Sequence, residues 1–301
     1  MITSRPYLNE TDLNVISEFL DETYSLSNDQ INWSAARWQY AAYFVNPLHL
    51  MSGNDYWSKS IRIWEDDGHI VGVVFYEDKG SVFIQRHPNY PELNETMLLW
   101  AEEHLSIVDE DGVRKIELWI NDNDEIKRQL ASSRGYEKND YFEYLRWHDL
   151  DEIDEFVFPT DYTISSLDVF ENVESKCNTI VKAFNSSGLP LELYRSMQSA
   201  PLYNPMLDIV VVYQNEEVAA CGTMWFNPNT KACYIEPMAT LPEHQGKGLG
   251  KIVLLEGLQR LKKLGAKKAY VGSYGDVVGA FYASCGFTEF ERNYPWTKTF
   301  E

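Results

Sequence analysis

The residues whose types and spacing could perform chemistry lie in the second half of the chain. Gln245–Gly250 reads QGKGLG, follows a predicted strand and opens an amphipathic helix. Its three glycines leave little side-chain bulk, so backbone N–H groups can converge on an anion at the positive end of the helix. Lys247 and Lys251 add positive charge nearby. A pyrophosphate is the ligand that this loop predicts.

Two common nucleotide-binding patterns do not fit the same loop. A P-loop needs GK followed by Ser or Thr, and here Lys247 is followed by Gly248. The GxGxxG dinucleotide pattern fails because the third glycine falls one residue early, and no acidic residue is set about 20 residues further on. A glycine-rich turn that only lets the helix pack close to the strand stays an alternative.

Two motifs in the second half resemble the GNAT acetyltransferase superfamily. Its diphosphate-binding pattern, Q/R-x-x-G-x-G/A, matches Gln245–Gly250, and its tyrosine shortly before Gly-Phe matches Tyr282 before Gly286-Phe287. The strand-rich run 207–226 supplies the preceding hairpin. The resemblance implies direct transfer of an acetyl group from acetyl-CoA, as cosubstrate, to an amine, without a covalent enzyme intermediate.

The resemblance also implies a role for each part of these motifs. The strand residues 238–240 would pair with the pantetheine arm, and their free amides could polarise the thioester carbonyl. Tyr282 would protonate the leaving thiolate, since a phenol with a pKa of about 10 keeps its proton at neutral pH; aromatic packing is the alternative role. The predicted cofactor-binding residues are Met238, Ala239, Thr240, Gln245, Gly246, Lys247, Gly248, Leu249, Gly250 and Lys251.

The general base has one leading candidate, Glu236, on the strand that runs to the loop. A carboxylate there could deprotonate an ammonium directly or through water, and a surface or ion-paired glutamate is the alternative. His244 is expected at the entrance as a solvated residue. On the acceptor side, Tyr203 and Trp225 are candidates because the segment 195–205 borders the cleft in many GNAT proteins.

The elements that must position these residues occur in the same order in two halves, joined by an acidic segment that ends at Pro159. Each half is predicted to contain a strand, a helix, three strands of a meander, a helix, a strand, a short helix and a closing strand. The predicted fold class is α/β, an α+β mixed sheet in two tandem GNAT-like domains, each mostly antiparallel and flanked by helices. The predicted boundaries are 1–150 for a degenerate domain and 160–301 for the acetyl-CoA-binding domain.

The first half lacks the features that carry the chemistry. Its equivalent loop, His87–Asn94, has no glycine, and Pro88 and Pro91 remove amide donors. Ala131 aligns opposite Tyr282. The aromatic stretch Trp33–Phe44 is interpreted as a packed helix because its apolar spacing is helical.

The composition limits the partners. With 46 acidic and 26 basic residues the formal charge is −20, which disfavours nucleic acid; it suits cationic amines or only keeps the protein soluble. The four cysteines show no zinc spacing, so buried thiols and no metal are expected. With no secretory or membrane-spanning segment, a cytoplasmic protein is predicted. The predicted acceptor is a small-molecule amine; a non-catalytic acyl-CoA sensor and a transferase of longer acyl groups are the alternatives, and the oligomeric state stays open.

Overall fold

The computed structural model describes residues 1–8, 10–27, 33–186, 188–214 and 216–300. They form two compact units. The first unit comprises Met1–Trp38, His49–Leu145 and Glu291–Glu301, and the second comprises Gln39–Leu48 and Arg146–Phe290. The predicted boundaries, 1–150 and 160–301, are continuous along the chain, so residues 39–48, 146–150 and 291–301 fall in the other half of the prediction.

The predicted helices and strands occur in the predicted order, with further short helices and strands between them. The strands are β1 Thr3–Pro6, β2 Arg62–Asp66, β3 His69–Tyr76, β4 Ser81–Arg86, β5 Ile107–Val108, β6 Arg114–Asn121, β7 Glu137–Lys138, β8 Glu143–His148, β9 Tyr162–Ser166, β10 Asp208–Tyr213, β11 Glu217–Asn227, β12 Ala232–Thr240, β13 Lys268–Ser273 and β14 Glu289–Phe300. The α-helices are α1 Glu10–Leu26, α2 Ala35–Tyr40, α3 Asn46–Met51, α4 Trp57–Ser60, α5 Leu93–His104, α6 Glu125–Ser133, α7 Val173–Ala183, α8 Leu191–Gln198, α9 Leu249–Lys263 and α10 Asp276–Ala283.

Each unit contains a mixed sheet that is mostly antiparallel. In the first unit the strand order is β1-β2-β3-β4-β6-β14, and in the second it is β13-β12-β11-β10-β9. One pair in each unit is parallel: β4 with β6 over residues 81–82, and β12 with β13 over residues 232–234. Because both pairings stop after two or three residues, the parallel strands diverge and leave an opening between them. The predicted fold class is confirmed.

Close packing between β11 and α9 explains two of the glycines in the second unit. A Cβ at Gly222 would lie 2.2 Å from the Met238 sulfur, and one at Gly257 would lie 2.2 Å from Met224 Cε. Helix α9 buries its leucines against this sheet in an apolar cluster of the second unit. The start of α9 is therefore fixed beside the end of β12.

Helix α7 begins at Val173, where the Asn172 side chain accepts a hydrogen bond from the Ser175 amide. Val169, before the helix, and Phe184, at its C-terminal end, are 73% and 59% exposed. The aromatic stretch 33–44 is packed as predicted, with Trp38 fully buried, but it passes from α2 into a π-helical turn at residues 41–45.

The described residues were compared with the requirements of disulfide bonds, metal sites and membrane-spanning helices. All four cysteines are buried free thiols, as expected from the sequence. Within the described part of the chain, no cluster of three or more His, Cys, Asp or Glu side chains could hold a metal ion. None of the helices in that part is both long enough and apolar enough to cross a membrane.

Candidate active site

A cavity of about 500 Å³ lies in the second unit between the end of β12, the start of α9 and helix α10. All of the predicted catalytic and cofactor-binding residues except Glu236 and Lys247 line it. Four apolar side chains that the sequence did not indicate also line it: Ala183, Phe184, Val278 and Phe281. Phe184 and Val278 are 59% and 45% exposed, so the cavity wall is apolar surface open to a ligand.

The start of α9 presents unpaired backbone amides to this cavity. Gly246 and Gly248 have φ of 73° and 78°, a left-handed conformation that favours glycine. Gly248 caps the helix without a side-chain hydrogen bond, and the first intrahelical bond runs from the Ile252 amide to the Gly248 carbonyl at 3.1 Å. Among the described residues, no group accepts from the amides of 249–251. Free amides at the positive end of a helix dipole are the features that favour an anion.

Gly250 lets α9 approach its neighbours at the cavity. A Cβ at this position would lie 3.3 Å from the Phe281 ring and 3.4 Å from Thr240 Oγ1. Both contacts are tighter than ordinary van der Waals packing. A side chain at position 250 would therefore push into the space between α9, α10 and the end of β12.

The side-chain ammonium groups of the two loop lysines contact other groups of the protein. Lys247 Nζ lies 3.2 Å from the Glu243 carbonyl oxygen and 3.4 Å from His244 Nδ1. Lys251 Nζ donates to the Ser284 carbonyl at 2.7 Å and lies 3.3 Å from the Asp154 carboxylate. Both ammonium groups therefore stabilise the loop through these contacts. If an anion binds here, we expect these two residues to bind it mainly through their backbone amides.

The end of β12 has an open edge. The Leu241 amide donates to the Ala219 carbonyl on β11 at 2.9 Å. Since successive amides of a strand alternate in direction, the Met238 and Thr240 amides point away from β11. On that side β13 pairs with β12 only as far as Tyr234. The Gln245 side-chain amide contacts the Thr240 carbonyl at 3.4 Å and ties the loop to this edge.

Tyr282 reaches the cavity from the last turn of α10. Its side chain is only 6% exposed, and its ring packs against Phe281 and Phe287 at centroid distances of 5.0 and 5.9 Å. Burial raises the pKa of the Tyr282 phenol well above its usual value, and the negative charge of the Glu236 carboxylate raises it further. Tyr282 therefore keeps its proton at neutral pH, and the two predicted catalytic residues lie within electrostatic range of each other.

Glu236 lies at an irregularity of β12. Two residues, Glu236 and Pro237, stand opposite the single residue Thr223 between the register pairs that flank them, so the strand bulges here. The Glu236–Pro237 peptide is cis, and the Glu236 carbonyl accepts a 2.7 Å hydrogen bond from Trp225 Nε1. The Glu236 side chain is half-buried.

The prediction for His244 is wrong. Its side chain is buried instead of solvated, although it lines the cavity. Nδ1 lies 2.9 Å from the Tyr162 hydroxyl and Nε2 lies 3.3 Å from the Glu217 carboxylate. His244 therefore connects the loop to the strands behind it.

The two predicted acceptor-side residues belong to the buried interior around β11. Trp225 is fully buried, and Tyr203 is half-buried with its hydroxyl donating to the Asp208 carboxylate at 2.7 Å. Asp208 also accepts from Tyr194 at 2.7 Å and from Thr223 at 3.0 Å, and it contacts the fully buried ammonium of Lys176.

Sequence reasoning missed this buried polar cluster of Lys176, Tyr194, Tyr203, Asp208 and Thr223. Two features of the sequence point to it. Lys176 stands on the apolar face of α7 beside Cys177 and Ile180, and Asp208 opens the apolar strand β10. A charged residue at a core position requires a partner of opposite charge.

Comparisons with known proteins agree with this architecture. Residues 173–287 match the family model described as acetyltransferase (GNAT) family. A curated relative, the uncharacterized N-acetyltransferase CgeE of Bacillus subtilis, is 29% identical over 122 residues, which is 38% of this chain. The matched region spans 47% of that relative's length.

Solved structures match over nearly the whole chain. A GCN5-related N-acetyltransferase from Sphaerobacter thermophilus has a TM-score of 0.65 at 15% identity, covering 99% of this chain and 95% of its own. A tandem GNAT protein from the clavulanic acid biosynthesis pathway has a TM-score of 0.61 at 13% identity, covering 99% and 98%. At these identities the likeness concerns the fold.

The diverging parallel strands, the glycine-rich start of α9 and the family match lead to the same class. The fold is the mixed sheet of the GNAT proteins, and a solved tandem GNAT protein shares it. Residues 173–287 are similar in sequence to the acetyltransferase (GNAT) family.

Proposed function

We propose that this protein transfers an acetyl group from acetyl-CoA to the amine of a small molecule. The observation that carries the proposal is the convergence of the α9 amides, the open edge of β12 and Tyr282 on one cavity in the second unit. Family membership supports acyl transfer in general. The choice of acetyl donor and amine acceptor is the proposal.

The residues present fit acetyl-CoA. The amides of residues 249–251 can donate hydrogen bonds to a pyrophosphate, and the left-handed glycines at 246 and 248 leave space for it because they carry no side chains. The open edge at Met238 and Thr240 can hydrogen-bond the amide groups of a pantetheine arm, as an added strand would. The exposed apolar side chains of Phe184 and Val278 supply contact area for its less polar parts.

The reaction needs one proton acceptor and one proton donor. Glu236 takes a proton from the ammonium, directly or through water, so that the amine lone pair can attack the thioester carbonyl carbon. The outward amides at the end of β12 stabilise the negative charge that develops on the carbonyl oxygen as the C–N bond forms. Tyr282 gives its proton to the sulfur as the C–S bond breaks, and its raised pKa keeps that proton available. The second proton on the acylated nitrogen then passes to the Tyr282 phenolate, which leaves a neutral amide and a neutral thiol.

The test is release of free thiol from acetyl-CoA in the presence of a panel of primary amines, polyamines, amino acids and amino sugars. We expect amine-dependent turnover, and a loss of about 10²–10⁴-fold in kcat for Tyr282→Phe, the range for a positioned general acid. Tyr270→Phe is the matched control, because Tyr270 is a buried tyrosine on β13 that does not line the cavity. Binding of acetyl-CoA without turnover on any amine would contradict the proposal.

A further inference from the structure

The first unit has a cavity of its own, of about 470 Å³, where β4 and β6 diverge. Its volume falls within the range of about 300–1,000 Å³ that is usual for small-molecule sites. Its lining is polar, and it includes Trp33, Gln85, Arg86, Asn121, Asp124 and Lys127. No glycine is among the described residues that line this cavity, in contrast to the glycine-rich start of α9.

Two hydrogen-bond donors of this lining are buried without a partner. Trp33 Nε1 and Gln85 Nε2 are shielded from solvent, and no group among the described residues accepts from either. Trp33 is only 1% exposed and is held by edge-to-face ring contacts with Phe75 and Phe83 at 4.7 and 5.3 Å. A buried donor without an acceptor is energetically costly. Both of these donors belong to residues that line this one cavity.

Arg86 brings a positive charge to the same cavity. Its guanidinium donates to Asn94 Oδ1 at 3.1 Å and to the carbonyls of His87 and Pro88 at 2.7 and 3.0 Å, all of them neutral groups. Burial lowers the pKa of Arg86, and the more distant charges of Asp124 and Glu92 only partly offset this effect. Within the described part of the chain, no carboxylate is close enough to form an ion pair with it.

The acidic residues of the cavity are already neutralised. Asp124 accepts from the Lys127 amide at 3.1 Å and pairs with its ammonium at 3.1 Å. Although burial alone would raise the pKa of Asp124, Lys127 holds it below its usual value. Glu125 is paired with Arg128 and accepts from Gln129 at 2.6 Å. The cavity therefore offers a surplus of donors and one unpaired cation.

We propose that the first unit binds a small carboxylate-bearing molecule in this cavity. The carboxylate oxygens accept from Trp33 Nε1–H and the Gln85 side-chain amide, and the charge balances that of Arg86. A guanidinium and two N–H donors suit a planar anion with several acceptor sites. This site is separate from the proposed acetyl-CoA site, and its test does not depend on acetyl transfer.

The test is titration of the ¹⁵N-labelled full-length protein, followed through the tryptophan indole N–H signals. Trp33→Phe identifies the Trp33 signal by its loss. We expect succinate to shift that signal saturably, and succinamide, its neutral counterpart, to leave it in place. Gln85→Glu should weaken binding at least about tenfold because it replaces a donor with a negative acceptor of the same shape. Arg62→Gln, an arginine on β2 that bonds Ser4, is the control and should bind as the wild type.

Arg86→Gln should weaken succinate binding by at least about tenfold as well. Gln85 is only half-buried, so Gln85→Glu keeps the test valid if Arg86→Gln does not fold. Three results would overturn the proposal. The first is the absence of a saturable shift of the Trp33 signal with acetate, succinate, citrate or benzoate. The second is a shift with succinamide equal to that with succinate. The third is a shift with inorganic phosphate and with none of the carboxylates.

Discussion

Removing both partners of the Lys176–Asp208 pair should destabilise the second unit by less than the sum of the two single removals. The two side chains are completely buried and in contact. Asp208 also accepts hydrogen bonds from Tyr194, Tyr203 and Thr223, so its carboxylate has four donors around it. The cluster supports β11 directly opposite the bulge that carries Glu236.

The expected magnitude follows from this burial. Lys176→Met leaves an uncompensated buried carboxylate, and Asp208→Asn leaves an uncompensated buried ammonium. Each should lower the free energy of unfolding by about 3–5 kcal/mol. In the double variant neither charge is left alone, so its loss should fall at least about 2 kcal/mol short of the sum of the two single losses. Lys182→Met is the control on the same helix. Its ammonium is 54% exposed and 3.7 Å from Glu243, so its loss should stay below about 1 kcal/mol.

Urea unfolding monitored by hydrogen exchange of peptides from residues 208–227 measures this effect within the second unit. The local measurement is needed because two units need not unfold in one step. Additive losses in the double variant, or single losses near that of Lys182→Met, would refute the reasoning that this pair is a tightly coupled buried ion pair.

Three further predictions concern the cavity of the second unit. Gly250→Val should weaken acetyl-CoA binding at least about tenfold in calorimetry, and Gly250→Ala should weaken it less, because the added atoms enter the space beside Phe281; equal binding by both variants would contradict this. Since the pKa of Tyr282 is raised, its acid form persists as pH rises, so kcat/KM should show no alkaline loss from this group between pH 7 and about 10; a loss that Tyr282→Phe abolishes would contradict it. Tyr162→Phe removes the hydroxyl next to His244 and should cost about 1 kcal/mol of unfolding free energy by urea titration, whereas no loss would show that this contact is not stabilising.

The element order and the glycine loop could be predicted from the sequence because they depend on local patterns. Gly246 and Gly248 adopt the left-handed conformation that their spacing before a helix suggests. Strands β10 to β12 form the predicted meander, with turns between them. The residues predicted for the site mostly line one cavity, while their roles stay predictions.

Other features depend on contacts between residues far apart in the chain. The last strand joins the first unit by pairing residues 293–300 with β6, which no local pattern indicates. His244 is buried because Tyr162 and Glu217 come to it from other strands. Helix α8 lies in a segment where no helix was predicted, and its Tyr194 is held by Asp208. In each case the partner is set by tertiary structure.

Amide hydrogen exchange, measured with and without acetyl-CoA, tests most directly whether acetyl-CoA binds at the start of α9. The amides of residues 249–251 have no acceptor among the described residues, so they should exchange quickly in the free protein and slowly in the complex. The start of α5 in the first unit is the internal comparison, because the Leu93 and Asn94 amides already bond the carbonyls of Tyr90 and Pro91. Slowed exchange at 249–251 without change at 93–94 is the predicted result. Unchanged exchange at 249–251 in saturating acetyl-CoA, or protection confined to the start of α5, would contradict the account.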